Sequence, residues 1–315
     1  MMRTFVPYGA AADEVPAGWG VRRAVRLDFP GPAALAADPV HTERLRVYLT
    51  DLLRPYGLAL DAAALAGAGH AYGEMAEVLI ERAVPTGESV DLLVLAYSVP
   101  DIAPGRATTT RLSHVCPGTP MAFAVTDQGA AAPFTALRLI RAYAGRLPRA
   151  LLLVVEQPSL PYDSGIPVDL PATSSGVALL LGPPTPGTPT TPLGRVTTGP
   201  ASAAQARTAL AKFAGPATGA DPLAEPAAPA AVILGSALAA QAPPLPGAPR
   251  VRTAAPGRPT TGVWWELAAE LSAPPAEPAP LIVADHDPLS GTLSVAAFAA
   301  ATEEALAAAA APGRA

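Results

Sequence analysis

Short runs of uninterrupted apolar residues, set between segments with helical periodicity, constrain this chain more than anything else in it. The runs are DLLVLAY at Asp91 to Tyr97, MAFAV at Met121 to Val125, ALLLVVE at Ala150 to Glu156, GVALLL at Gly176 to Leu181, AVIL at Ala231 to Leu234 and LIVA at Leu281 to Ala284. Each is short for a helix and bounded by turn residues, so each reads as a strand that leaves neither face to water. Further strands are predicted near Arg195 to Thr198 and Leu293 to Phe298. Between them, helical spacing appears in Leu45, Leu49, Leu52 and Leu53, in Tyr72, Met75, Ala76, Leu79 and Ile80, and again over Ala107 to His114, Ala201 to Phe213 and Val263 to Leu271. Strands alternating with helices predict an α/β protein with a largely parallel or mixed sheet covered on its faces. The Pro-rich stretch from Gly182 to Pro192 cannot build a regular element and reads as a surface loop joining two parts of similar element order.

Composition narrows the functional classes. The 315 residues are half hydrophobic and 15% charged, with a net charge of -5. The arginines and the single Lys212 form no basic block, which argues against nucleic acid as a partner. The lone Cys116 excludes an intramolecular disulfide and a cysteine metal cluster, which fits a reducing cytoplasm. No apolar run approaches the roughly 20 residues needed to span a bilayer, and the N-terminus lacks the basic-then-apolar order of a secretory signal. The expectation is a cytoplasmic protein with no membrane span, no metal and no resident cofactor.

The stretch MAFAVTDQGAAAPFTAL, Met121 to Leu137, is a strand, a tight polar elbow and an amphipathic helix whose stripe is Phe134, Leu137, Ile140 and Leu147. Asp127 at the elbow is a candidate general base or a cap on the following helix, where a side-chain oxygen satisfies free amides. His114 and Cys116, two apart in RLSHVCPG, read either as a nucleophile and base or as a helix-end histidine beside a packed thiol. His286 lies between Asp285 and Asp287 in ADHDPLSG, where carboxylates would raise its basicity and orient it; the alternative is a solvated turn set by Pro288 and Gly291. Trp264 and Trp265 cannot both face one core direction on a helix, so one lines a pocket or interface, or one is core and the other surface.

Taken in order, DLLVLAYSVPD, PMAFAVTDQGAAAPFTALRLIRAY, ALLLVVEQ and SSGVALLLG resemble the N-terminal half of a thiolase-fold enzyme of the ketoacyl synthase III group. Ser98, Val99, Pro100 and Asp101 match that group's Ser/Thr-x-Pro-Asp turn. More faintly, AAVILGSALAAQ, GRPTTGVWWELAAEL and PLIVADHDPLSGTLSVAAF resemble its C-terminal half. The resemblance implies a thiolase-like fold of two pseudo-duplicated βαβαβ halves, residues 1–182 and a shortened 183–315, forming a layered αβαβα core. It also implies acyl carrier protein or CoA thioesters as substrates, and places the His286 loop near the active site.

The same resemblance locates departures. Active members use a cysteine thioester with histidine and asparagine stabilising the developing charge. Here the cysteine's counterpart falls among Gln128, Gly129 and Ala130, Gly235 and Ser236 occupy the histidine's neighbourhood, and Arg258 stands for the asparagine, a residue this chain lacks altogether. Glutamine in the nucleophile's place is a feature of chain-length-factor subunits of aromatic polyketide synthases, which pair with an active ketosynthase. The resemblance thus implies a non-catalytic partner or scaffold, as a homodimer or as a heterodimer with an active ketosynthase. Two alternatives stand beside it: an acyltransferase, hydrolase or cyclase using Asp127, His114 or His286 without an acyl-enzyme, and an acyl-chain or carrier-protein binding module. The candidate site is Asp127, Gln128 and His286.

Overall fold

The computed structural model describes residues 15–31, 37–62, 65, 69–103, 107–185, 188, 190–202, 204–206, 208, 231–240, 250–273 and 280–300. Its first part contains β1 (Gly20–Phe29), α1 (Pro39–Leu53), α2 (Tyr72–Ala83), β2 (Leu92–Ala96), α3 (Thr108–Val115), β3 (Met121–Val125), α4 (Ala132–Tyr143), β4 (Ala150–Glu156) and β5 (Ser174–Gly182). The remainder contains β6 (Thr191–Pro200), β7 (Ala231–Leu234), α5 (Ser236–Ala239), β8 (Arg250–Thr253), α6 (Gly262–Ser272), β9 (Leu281–Asp287) and β10 (Thr292–Phe298). Of the helix expected over Ala201 to Phe213, residues 201, 202, 204–206 and 208 are described; 204–206 and 208 are helical, whereas Ala201 and Ser202 precede the helix.

Strand order explains the apolar runs. It is β3-β2-β4-β5-β1-β6-β10-β9-β7-β8, the same arrangement read outward twice from a central seam where Gly20 meets Pro192 and Val21 meets Thr191. On each side the seam strand is antiparallel to the next, that strand is antiparallel to a third, and the rest are parallel. Along β2, Leu92, Val94 and Ala96 enter a central core with Phe134, Leu137, Val263 and Trp264, while Leu93 and Leu95 enter an outer core with Met75, Leu79 and Leu112. In β9, Leu281 and Val283 face the central core while Ile282 and Ala284 face a third core with Leu238 and Val295. Sheet strands therefore lie between helical layers, with α4 and α6 in the middle, and period-2 alternation divides each apolar run between two cores. Phe134 of α4 and Trp264 of α6 touch at that middle layer with ring centroids 4.7 Å apart.

Two strands escape the sequence pattern. In β1 the register shifts between Val21 and Arg23, so Val21 belongs to the central core whereas Val25, Leu27 and Phe29 pack on the outer one. The bulge flips the alternation partway and hides it from a fixed period. β8, RVRT, is four residues at the edge of the sheet with two arginines.

A buried carboxylate joins the two parts. Glu156, the last residue of β4, accepts from the amides of Thr260 and Thr261 at 2.8 and 3.2 Å, from the Ser175 hydroxyl at 3.0 Å and from the Thr261 hydroxyl. It thereby satisfies free N–H groups at the start of α6 from across the molecule. Burial pushes its carboxyl upward, and these four donors oppose the shift. Glu156→Ala should leave buried donors unsatisfied and cost about 3 kcal/mol; urea unfolding monitored by tryptophan fluorescence measures this, with Glu156→Gln losing less.

Candidate functional site

At the end of β3 the chain reverses sharply into a helix. Asp127 and Gly129 both have positive φ, 60° and 51°, and the 3-10 turn Gly129–Ala131 leads into α4, which carries a proline in its first turn. A left-handed aspartate is tolerated because its short polar side chain fits that region, at some strain. Its side chain caps neither the 3-10 turn nor α4. The cap comes instead from Asp287, whose Oδ2 accepts from the Ala130 amide at 3.1 Å. A Cβ on Gly129 would stand 1.6 Å from that oxygen, so only glycine admits the carboxylate. Asp287 Oδ1 accepts from the amides of Leu289 and Ser290, at 2.9 and 3.0 Å, and fixes the turn into β10.

The three candidate residues diverge. Asp127 is exposed, and its charge helps to raise the hydroxyl pKa values of Tyr97 and Tyr162, both raised first by desolvation. Gln128 is exposed and lies back along α4, its Oε1 accepting from the Thr135 hydroxyl at 2.6 Å. His286 is not in a solvated turn: ADHD is the buried end of β9, with His286 6% exposed. By alternation it shares the outer face with Ile282 and Ala284, and its Nε2 contacts the Ala201 carbonyl at 2.9 Å. The aspartates beside it face the central layer. Asp285 lies against Gly235, where a Cβ would fall 1.8 Å from Oδ1. The acidic residues flanking His286, rather than His286 itself, approach the elbow and the Gly235 turn; strand alternation through Asp287 was the signal that could have found them.

Other candidates fall into structural roles. His114 is exposed on α3, whereas Cys116 is 2% exposed within the outer core, where burial pushes its thiol up to about 12. Trp264 is core, and Trp265 is half-buried under the guanidinium of Arg258, 3.8 Å from its ring centroid. Arg258 also pairs with Asp28 at 2.7 Å. In the SVPD turn, Asp101 accepts from the Tyr72 amide and so caps α2, while the Tyr72 hydroxyl donates to the Val99 carbonyl. Among the described residues no cluster of His, Cys, Asp and Glu suits a metal ion, and no helix is long and apolar enough to cross a membrane.

This arrangement, with an elbow helix and its counterpart between two sheet halves, is a thiolase-like fold. Among solved structures, AbyA1, a tetronic acid condensing enzyme, is similar at 18% identity, with a TM-score of 0.55 over 89% of this chain and 99% of that one. OleA from Xanthomonas campestris, solved with lauric acid and lauroyl-CoA, matches at 11% identity and a TM-score of 0.55, over 89% and 98% of the two chains. The 3-oxoacyl-(acyl carrier protein) synthase III FabH from Pseudomonas aeruginosa PAO1 matches at 14% and 0.54, over 90% and 98%. No family model matches the chain, and no curated protein matches its sequence.

The Gly129–Asp287 contact gives a double-mutant prediction. Gly129→Ala should cost about 2 kcal/mol or more, from overpacking and backbone strain. Adding Asp287→Ala should recover part of that loss, so chemical unfolding of the four proteins should show clear non-additivity. In the folded protein, Cys116 should resist iodoacetamide at mildly alkaline pH and react only on unfolding, as followed by intact mass.

Proposed function

We propose that the chain is a ketoacyl synthase III-like protein without Cys-His-Asn chemistry that serves as the non-catalytic partner of an active ketosynthase in cytoplasmic polyketide or fatty-acyl biosynthesis. One observation carries this reading: the elbow offers no nucleophile, its exposed Gln128 is folded onto Thr135, and the Ala130 amide is already occupied by Asp287 of the same chain. A helix N-terminus that would stabilise a thiolate or an acyl oxyanion is thus filled internally. The reading takes residues 1–182 and 183–315 as the two thiolase-like halves, and acyl carrier protein or CoA thioesters as the molecules its partner handles.

The sheet edges support a partnership. β3 ends the sheet with the sequence MAFAV, carrying no charge; Ala124 is exposed, and Met121, Ala122 and Phe123 are half-buried. An uncharged edge strand is a template for pairing with another chain. The opposite edge is guarded: in β8, Arg250 pairs with Glu270 at 2.5 Å, and Arg252 with Glu266 at 2.8 Å. Association through β3 places the two elbows of a dimer close to their shared interface.

The test is co-expression with the ketosynthase encoded nearby, followed by size exclusion with light scattering. Co-elution as a heterodimer is expected, and Ala124→Arg should abolish it while leaving the melting temperature of the isolated chain within about 2 °C. Elution of two separate species would overturn the heterodimer.

A second reading, a single-chain enzyme acting on acyl thioesters, draws on the left-handed, exposed Asp127 at the elbow. Strained residues cluster at working sites, and an accessible carboxylate can move a proton. Incubation with lauroyl-CoA separates the readings. The partner reading expects no covalent adduct by intact mass and no thiol release; the enzyme reading expects thiol release that Asp127→Ala removes.

A further inference from the structure

Asp285 is a buried carboxyl, 9% exposed, that among the described residues serves neither as a helix cap nor in an ion pair. Its Oδ1 accepts from the neighbouring His286 amide at 2.8 Å and presses against the Cα of Gly235. Two residues on, Asp287 points from the same face of β9 and accepts three amide bonds, from Ala130, Leu289 and Ser290. Residues i and i+2 of a strand lie on one face, so both carboxyls are buried on the same side of β9, one against Gly235 and the other against Gly129.

Among the described residues, the surroundings supply no counter-charge. β7 (AVIL), α5 (SALA), the 3-10 turn GAA and β10 (TLSVAAF), all packed against β9, carry no ionisable side chain. On β10, Ser294 and Thr292 stand opposite Asp285 and Asp287. On α6, Glu266 and Glu270 are bound by Arg252 and Arg250. Arg258 ahead of α6 is held by Asp28, and Arg138 and Arg141 lie in the later turns of α4, away from the cap. Asp127 is exposed at the elbow, and His286 faces the outer layer.

We propose that Asp285, buried on the same face of β9 as Asp287, is a protonated carboxyl electrostatically coupled to it, so that the elbow's cap responds to pH. Three amide donors make Asp287 the member suited to hold the charge. Asp285 has a single donor and the nearby negative charge, so it is the member that stays neutral. Burial, more than the charge of Asp287, pushes its carboxyl up to about 7. As pH rises through neutrality a second negative charge forms on the same face of β9 and repels Asp287 from the Ala130 amide. The folded pKa is raised, so the folded chain holds a proton that the unfolded chain releases near the ordinary aspartate value. The contribution of Asp285 to stability is therefore fully present below its unfolded pKa, falls as pH rises toward its folded value and levels off above neutrality. The device sits in one chain and is independent of whether that chain pairs with a ketosynthase.

The experiment is a carbon-detected NMR titration of aspartate carboxyls in the full chain, with hydrogen exchange of the elbow amides from about pH 6 to about pH 8. One carboxyl is expected to titrate with a midpoint near 7. That titration should vanish in Asp285→Asn and move to lower pH in Asp287→Asn. Elbow amides of the wild type should lose protection over this range relative to Asp285→Asn at the same pH. A flat wild-type aspartate profile in the neutral range, or a titration that survives Asp285→Asn, would overturn the proposal. If Asp285→Asn does not fold, the wild-type midpoint and its shift in Asp287→Asn decide the question alone.

Discussion

Two carboxylates at matching places in the fold hold this molecule together. Glu156 closes β4 and reaches the amides that open α6; Asp287 closes β9 and reaches the amide that opens the turn into α4. The requirement behind this reciprocity is strict. α4 and α6 are packed between two sheet halves, where Phe134 and Trp264 meet and water is scarce. Helix N-termini must nevertheless satisfy their free N–H groups. Each half meets that need with a charge at the end of its own strand, aimed at the other half's helix. Because the partners are 104 and 157 residues apart, the contacts tie the strands of one part to the helix of the other.

The same device limits what the elbow can do. An uncapped helix N-terminus attracts anions because its amides and dipole present positive potential. Here that potential is met by Asp287, brought close by the absence of a side chain at Gly129. Asp285 enters on the same face against Gly235, so both glycine turns facing the central layer receive a carboxylate from one strand. At Gly129 glycine is a packing requirement as much as a conformational one, whereas at Gly235, with φ -59°, it is a packing requirement alone. The amide at the start of the elbow helix is therefore occupied by a carboxylate of the same chain.

The legible part of the fold is the part buried on both faces. β4 and β7 coincide with apolar runs because neither face needs a polar residue, and the helices around them show their stripes. β1 was hidden by its bulge, and β8 by its length and its arginines, which belong to an edge. The candidate site was legible only in outline. The elbow is visible in TDQG, but the residue that caps it comes from the far end of the chain. ADHD reads locally as a polar turn because it is charged and followed by Pro288; it is a strand because tertiary contacts give Asp287 its donors and place the His286 ring against a carbonyl. Local polarity predicts solvent, whereas long-range pairing can make burial tolerable.

What the fold asks of the elbow can be separated from what a condensing reaction asks of it. The fold needs left-handed backbone at Asp127 and Gly129 to turn the strand into a helix, and an acceptor for the Ala130 amide. Neither demand specifies a nucleophile. Gln128, between the two left-handed residues, has an ordinary negative φ and a side chain that leaves the interior for Thr135. Its identity is thus free of the backbone constraint that governs its neighbours. The elbow, the middle helices and the apolar edge of β3 are thus held by packing and backbone demands that leave the Gln128 side chain unconstrained.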